Sequence, residues 1–340
     1  MIIRPFLEYI EGDFFMKIGK LNWTDLKNLI NRNNTVKREE VRIRSGIGED
    51  CSVVNFGDYE CVISTDPITG TTKDIGRLAV HINCNDIASS GVEPLGITVT
   101  ILAPEDATLE DINKVMQEIN EETTKLNVEI IGGHTEVTSA VTRMVVSCTV
   151  FGRCISGKAV ASSTAEVGDD IIVTKYLASE GTAILANDHK ERCEKILTTS
   201  EYNEALKMIN NISVVKEGVI AGEIGVNSMH DITEGGLLGA LWEVCEASDV
   251  GFEVNYDKLP IKDVTKKICK EFNINPLKLI SSGSMLMTSK YGKDIVKELN
   301  KNNIKADIIG KITDSNKVMM YNGEKIYIDA PETDDLFNIK

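Results

Sequence analysis

Apolar residues recur along this chain with two periods. From Thr108 to Leu126 they fall at Leu109, Ile112, Val115, Met116 and Ile119, one face of an amphipathic helix. From Gly96 to Leu102, Ile97, Val99 and Ile101 alternate with polar positions, the two-residue period of a strand. The same reasoning predicts strands at Ser52–Val54, Val62–Thr65, Val128–Ile131 and Arg143–Val150, and helices at Asn22–Ile30 and Arg77–Gly91. Asn31 to Glu40 is polar and reads as a loop. The first half therefore alternates strands and helices around a mixed sheet. In the second half, strands are expected at Ile171–Thr174, Gly251–Val254 and Met285–Thr288, with Ala306–Ile312 as an edge strand. Helices are expected from Ser179 to Ala186, at Leu237–Ala247, Val264–Phe272 and Ile295–Leu299, with surface helices across 188–211. The acidic tail from Met319 reads as partly frayed.

A length of 340 residues fits two domains, and 42% hydrophobic residues fit a globular protein with a sizeable core. The spans expected are an N-terminal extension at 1–15, a first domain at 16–155 and a second at 156–340. No apolar run approaches the roughly 20 residues of a membrane span, and no signal peptide is evident. A net charge of −15 argues against nucleic acid, whose backbone needs a basic footprint. The eight cysteines show neither close Cys-x-x-Cys pairs nor zinc spacing, and read as free thiols in a cytoplasmic protein. Cys51 and Cys84 adjoin acidic stretches but read in the same way.

Acidic side chains sit beside apolar runs and glycine turns, not in solvated blocks. Gly46-Ile47-Gly48-Glu49-Asp50 precedes one strand, Asp66 ends another, and Asn83-Cys84-Asn85-Asp86 lies within a helix. Taken singly, each acid reads more readily as a turn or capping residue. Were Asp50, Asp66 and Asp86 brought together, they would require a cation: two carboxylates about 4 Å apart repel by roughly 4 kcal/mol at an effective dielectric of 20. Oxygen ligands of this kind suit Mg2+. Gly132-Gly133 before His134 allows close backbone approach to a ligand and leaves amides for phosphate. Arg77 and His81 share a helix face directed at phosphate or at solvent. Asp231, before Gly235-Gly236, is either a cap or a group for substrate or acid–base work.

The series Gly-Glu-Asp-Cys (48–51), Thr-Asp-Pro-Ile-Thr (65–69), Asp-Ile-Gly-Arg-Leu-Ala-Val (74–80), Asn-Asp-Ile-Ala (85–88), Gly-Val-Glu-Pro-Leu (91–95) and Gly-Gly-His-Thr-Glu (132–136) resembles the aminoimidazole ribonucleotide (AIR) synthetase superfamily. His230-Asp231-Ile232-Thr233-Glu234-Gly235-Gly236 resembles its second-domain signature. The resemblance covers nearly the whole chain in family order. It implies a two-domain α/β (α+β) fold whose first sheet pairs across a homodimer. It also implies ATP and Mg2+ as cofactors and phosphorylation or activation of an oxygen atom in a small substrate. Under this resemblance the metal ligands are Asp50, Asp66, Asp86 and Glu136. Nucleotide contacts come from Gly48, Asp66, Asn85, Gly132, Gly133, Thr135, Gly235 and Gly236, and catalytic groups from Asp231 and His134.

Two departures stand out. His134 occupies a position where the superfamily usually has an acid, and Glu49 one where many relatives carry a second Asp. The pattern is nearest to the hydrogenase-maturation carbamoyl dehydratase (HypE-like) branch, which receives its carbamoyl group on a terminal cysteine. This sequence has no cysteine after Cys269, so thiocarbamate chemistry is not expected. The competing expectation is a HypE-like nucleotide-binding maturation or regulatory protein without independent catalysis.

Overall fold

The structure, a computed structural model, describes residues 19, 21, 23–33, 36–69, 73–330 and 334–339. The extension expected at 1–15 lies outside them. After helix α1 (Trp23–Asn33), six strands form the first sheet: β1 (Val41–Ile43), β2 (Ser52–Asn55), β3 (Tyr59–Ile68), β4 (Pro94–Ala103), β5 (Glu129–Val137) and β6 (Val145–Ile155). Their order is β1-β2-β3-β6-β4-β5, with only β4 and β5 parallel. Helices α2 (Ile75–Ser89) and α3 (Leu109–Leu126) cover one face, where Val62, Ile97, Val99, Ile101 and Val150 pack with Ala79, Ile87, Val115 and Ile119. Helix α3 starts where its pattern predicts, on a capping box between Thr108 and Asp111.

Helix α2 is different. It is buried around most of its circumference, as expected of a helix enclosed by other elements. One side lies on β3 and β6, another on α3, and a third on β8 (Ser228–Ile232) and α7 (Val215–Ile224) of the second domain. Contact with α7 is close enough to exclude side chains. A Cβ on Gly218 would stand 2.3 Å from the carbonyl oxygen of Ala88, and one on Gly222 would stand 2.7 Å from Cα of Gly91. Ala88 joins the core formed by Ile172, Val214, Ala221 and Met229. Arg77, 20% exposed, reaches Asn210 and the Ile209 carbonyl, and His81, buried, meets Glu122 of α3 at 3.0 Å.

The second sheet adds β7 (Asp170–Thr174), β9 (Gly251–Asn255), β10 (Ser284–Ser289), β11 (Ala306–Thr313), β12 (Lys317–Tyr321) and β13 (Glu324–Tyr327) to β8. The order is β13-β12-β9-β11-β7-β10-β8. Its helices are α4 (Ser179–Asp188), α5 (Lys190–Ile196), α6 (Thr199–Lys207), α7, α8 (Gly236–Ser248), α9 (Asp263–Phe272) and α10 (Gly292–Lys301). Two expectations fail here. Strand β11 is interior, between β9 and β7, and its Lys311 pairs with Asp170 at 2.9 Å. The described part of the tail, 319–330 and 334–339, is also structured: β12 and β13 extend the sheet, and Asp334 is buried. Its carboxylate accepts the Gly235 amide at 2.7 Å and the Leu336 amide at 2.9 Å. Among the described residues no helix is long and apolar enough to cross a membrane.

Candidate functional site

Strand alternation puts Asp66 on the face of β3 that Glu60, Val62 and Ser64 turn toward α2. Asn83 of α2 fixes the main chain there: its Oδ1 accepts the Asp66 amide at 2.8 Å and its Nδ2 donates to the Asp66 carbonyl at 3.2 Å. One turn further along α2, Asp86 is 4% exposed and accepts a hydrogen bond from Ser64 Oγ at 2.5 Å. Asp50 arrives from the turn before β2. Asp231 arrives from β8, the edge strand of the second sheet, which packs on α2. Asp231 lies within that strand, so it does not cap α8; the residue at the cap is Gly235.

The electrostatics record this convergence. Burial pushes the Asp86 carboxyl well above the usual carboxylate range, and the charges of Asp231, Asp50 and Asp66 push it further. Burial and the Asp86 charge likewise push the Cys51 thiol far up, leaving a neutral group that donates to the Asp86 carbonyl at 3.0 Å. The carboxylate oxygens of this set are donors that fit a hard divalent cation.

One cationic partner is present and was not singled out in the motif. His230 is 3% exposed on β8; its Nδ1 lies 2.6 Å from Asp50 Oδ2, and its Nε2 is bonded to Glu243 of α8. Burial alone would lower its pKa, but Asp50 and Glu243 outweigh that and hold it well above the ordinary histidine value. Asp50, His230 and Asp231 present donor atoms all within 4.8 Å of one another. The available signal is a histidine beside Asp231 in the short segment Ser228–Ile232, which is buried throughout, since a buried polar ring needs partners.

The remaining candidates fall into three places. Asn85 joins the domains: its Nδ2 donates to the Ile212 carbonyl and its Oδ1 accepts the Val214 amide, both at 2.8 Å. Glu49 does similar work, accepting the amides of Ser162 at 3.1 Å and Ser163 at 2.9 Å, so its carboxylate is turned to the interdomain segment. Gly48 lies against the Glu243 backbone, where an added Cβ would come within 3.1 Å. Gly235 and Gly236 both have positive φ, and a Cβ on Gly236 would stand 2.7 Å from the Leu277 carbonyl oxygen. The Gly235 amide faces Asp334.

Gly132, Gly133, His134, Thr135 and Glu136 lie on β5, the outer strand. Asp66 is in register with Cys148, Cys148 with Val99, and Val99 with Gly133, three ladder steps or roughly 14 Å. His134 and Glu136 alternate with Gly133 and Thr135, so they take the sheet face away from α2, where they pair at 3.2 Å, 63% and 49% exposed. Within one copy of the chain they do not join Asp50, Asp86 and Asp231.

Comparison with known proteins agrees with this architecture. Residues 48–154 match the N-terminal domain, and residues 166–321 the C-terminal domain, of AIR synthase related proteins. A hydrogenase expression/formation protein of Methanocaldococcus jannaschii is 32% identical over 315 residues, covering 88% of this chain and 90% of the relative. A thiamine-monophosphate kinase of Pyrococcus abyssi is 26% identical over 293 residues, covering 83% and 88%. Among solved structures, the HypE–HypF complex gives a TM-score of 0.75 at 21% identity, over 91% of this chain and 100% of the other. Hydrogenase maturation protein HypE in complex with ATP gives 0.68 at 19%, over 90% and 91%. At such identities the structures establish the shared two-domain fold. With both domains matched and a relative this similar along nearly its full length, the chain belongs to the AIR synthase related family.

Proposed function

We propose that this protein is an ATP- and Mg2+-dependent enzyme that phosphorylates or activates an oxygen atom of a small substrate, cleaving ATP to ADP. The observation that carries the reading is the convergence of Asp50, Asp66, Asp86 and Asp231 at the domain boundary, where burial, and then the charges of the other three, push the Asp86 carboxyl far up. Asp50, Asp86 and Asp231 would hold the cation, with Asp66 beside them. Bound there, Mg2+ would neutralise charge on the ATP phosphates. The chain's own part is positioning: Asn83 sets Asp66, Ser64 sets Asp86, and β8 sets Asp231. Relatives named as thiamine-monophosphate kinase and a neighbour solved with ATP support the nucleotide.

The reading includes a homodimer in the cytoplasm. Ile131 and Val137 on β5 are 49% and 56% exposed, and a second copy would cover them while bringing Gly132 to Glu136 toward a nucleotide. Free thiols, most of them buried, fit a reducing compartment. Calorimetric titration of ATP with and without Mg2+, with an assay for ADP release, tests the activity. Mg2+-dependent binding that is lost in Asp86→Asn supports it; unchanged binding in Asp86→Asn removes the metal assignment.

A second reading is a nucleotide-binding maturation or regulatory protein without independent catalysis. The hydrogenase expression/formation relative and the exposed His134–Glu136 pair favour it. Tight ATP binding without ADP release distinguishes it.

A further inference from the structure

The pairing of Asp50 with His230 crosses the domain boundary. Asp50 belongs to the first domain and His230 to β8 of the second, and their Oδ2 and Nδ1 atoms are 2.6 Å apart. The ring is braced from behind by Glu243 on α8. The turn carrying Asp50 reaches α8 through Gly48, which packs on the Glu243 backbone without a side chain to hold it off. Both ring nitrogens are therefore spent on carboxylates, and neither directs a lone pair at an ion. Asp50 Oδ2 is committed to the ring, which leaves Oδ1 as the oxygen this residue offers the site.

We propose that His230 is a positioning residue that holds Asp50 in the attitude completing the cation site with Asp86 and Asp231, and that it is not itself a ligand. The inference rests on reading the acidic cluster as a divalent-cation site. Without the ring, Asp50 faces the like charges of Asp86 and Asp231, and its side chain, already 20% exposed, turns out toward water. Removing a group that orients a ligand typically costs about 10- to 100-fold in metal affinity.

Mn2+ is the probe, titrated by electron paramagnetic resonance without nucleotide into the wild type, His230→Ala, His230→Gln and Glu243→Gln. Expected are a Mn2+ affinity about 10- to 100-fold weaker in His230→Ala, partial recovery in His230→Gln, whose amide can still donate to Asp50, and several-fold weakening in Glu243→Gln. Pulsed spectra of the bound Mn2+ should show no directly coordinated nitrogen. Unchanged affinity in a folded His230→Ala, or a coordinated imidazole nitrogen in the wild type, overturns the inference. Should His230→Ala not fold by circular dichroism, unchanged affinity in Glu243→Gln overturns it instead. Wild-type protein that binds neither Mn2+ nor ATP removes the proposed activity and this inference together. Wild type and variants that bind Mn2+ equally remove the inference alone.

Discussion

Asn83 grips the main chain of Asp66 at both ends, accepting its N–H at 2.8 Å and donating to its C=O at 3.2 Å. A third bond, to the Ala79 carbonyl at 2.9 Å, ties the amide to its own helix. Strand β3 and helix α2 are thus registered where the acids converge. Asn83→Ala should cost about 1–3 kcal/mol of stability, since it strands buried polar groups. It should also weaken Mg2+-dependent ATP binding. Urea unfolding and calorimetry measure the two effects.

Asp86 is costly to keep charged, being buried and facing three other carboxylates. Asp86→Asn should therefore raise the thermal midpoint of the metal-free protein while abolishing Mg2+-dependent ATP binding, a trade of function for stability. A midpoint that falls in the metal-free variant would contradict the convergence described above.

The two glycines of β5 should behave differently. A Cβ on Gly133 would lie 1.9 Å from the Val99 carbonyl oxygen, at φ 155°, whereas one on Gly132 meets nothing closer than 4.0 Å. Gly133→Ala should destabilise by at least about 2 kcal/mol, and Gly132→Ala by far less. Denaturant midpoints of the two variants compare them directly.

Burial raises the Asp334 carboxyl to about 6. Because the folded pKa lies above the unfolded one, the folded chain keeps a proton that the unfolded chain has released. Stability from this group is full below about pH 4, falls as pH rises toward 6, and is level above that. By linkage the loss is at most about 3 kcal/mol. Asp334→Asn should flatten this part of the pH–stability profile, read by thermal unfolding between pH 4 and 7.

Much of this organisation was written locally. The alternation at 96–102 and the helical repeat at 108–126 fix β4 and α3, and the glycine and acid motifs mark the turns and ends that face α2. What escaped depends on contacts distant in sequence. Strand β11 is interior because β9 and β7, which flank it, come from 251–255 and 170–174, a pairing that its own sequence does not carry. The tail looked frayed because its acids suggest solvent, yet Asp334 is held by an amide 99 residues away. His230 was passed over beside Asp231 because its partners, Asp50 and Glu243, come from different domains and elements. Asn85 sat in a motif that reads as ligand-binding, but its partners are the main chain at 212 and 214.

The glycine contacts between α2 and α7 bear on how this molecule can move. Gly218 lies against the Ala88 carbonyl and Gly222 against Gly91, main chain on main chain, with no side chains between them to change rotamer and act as a bearing. Such a joint is welded: α2 cannot slide or swivel on α7 without backbone collision, and each half of the protein borrows this helix to complete its interior. The two halves should melt as one calorimetric transition. Any opening of the molecule then falls to segments away from this joint.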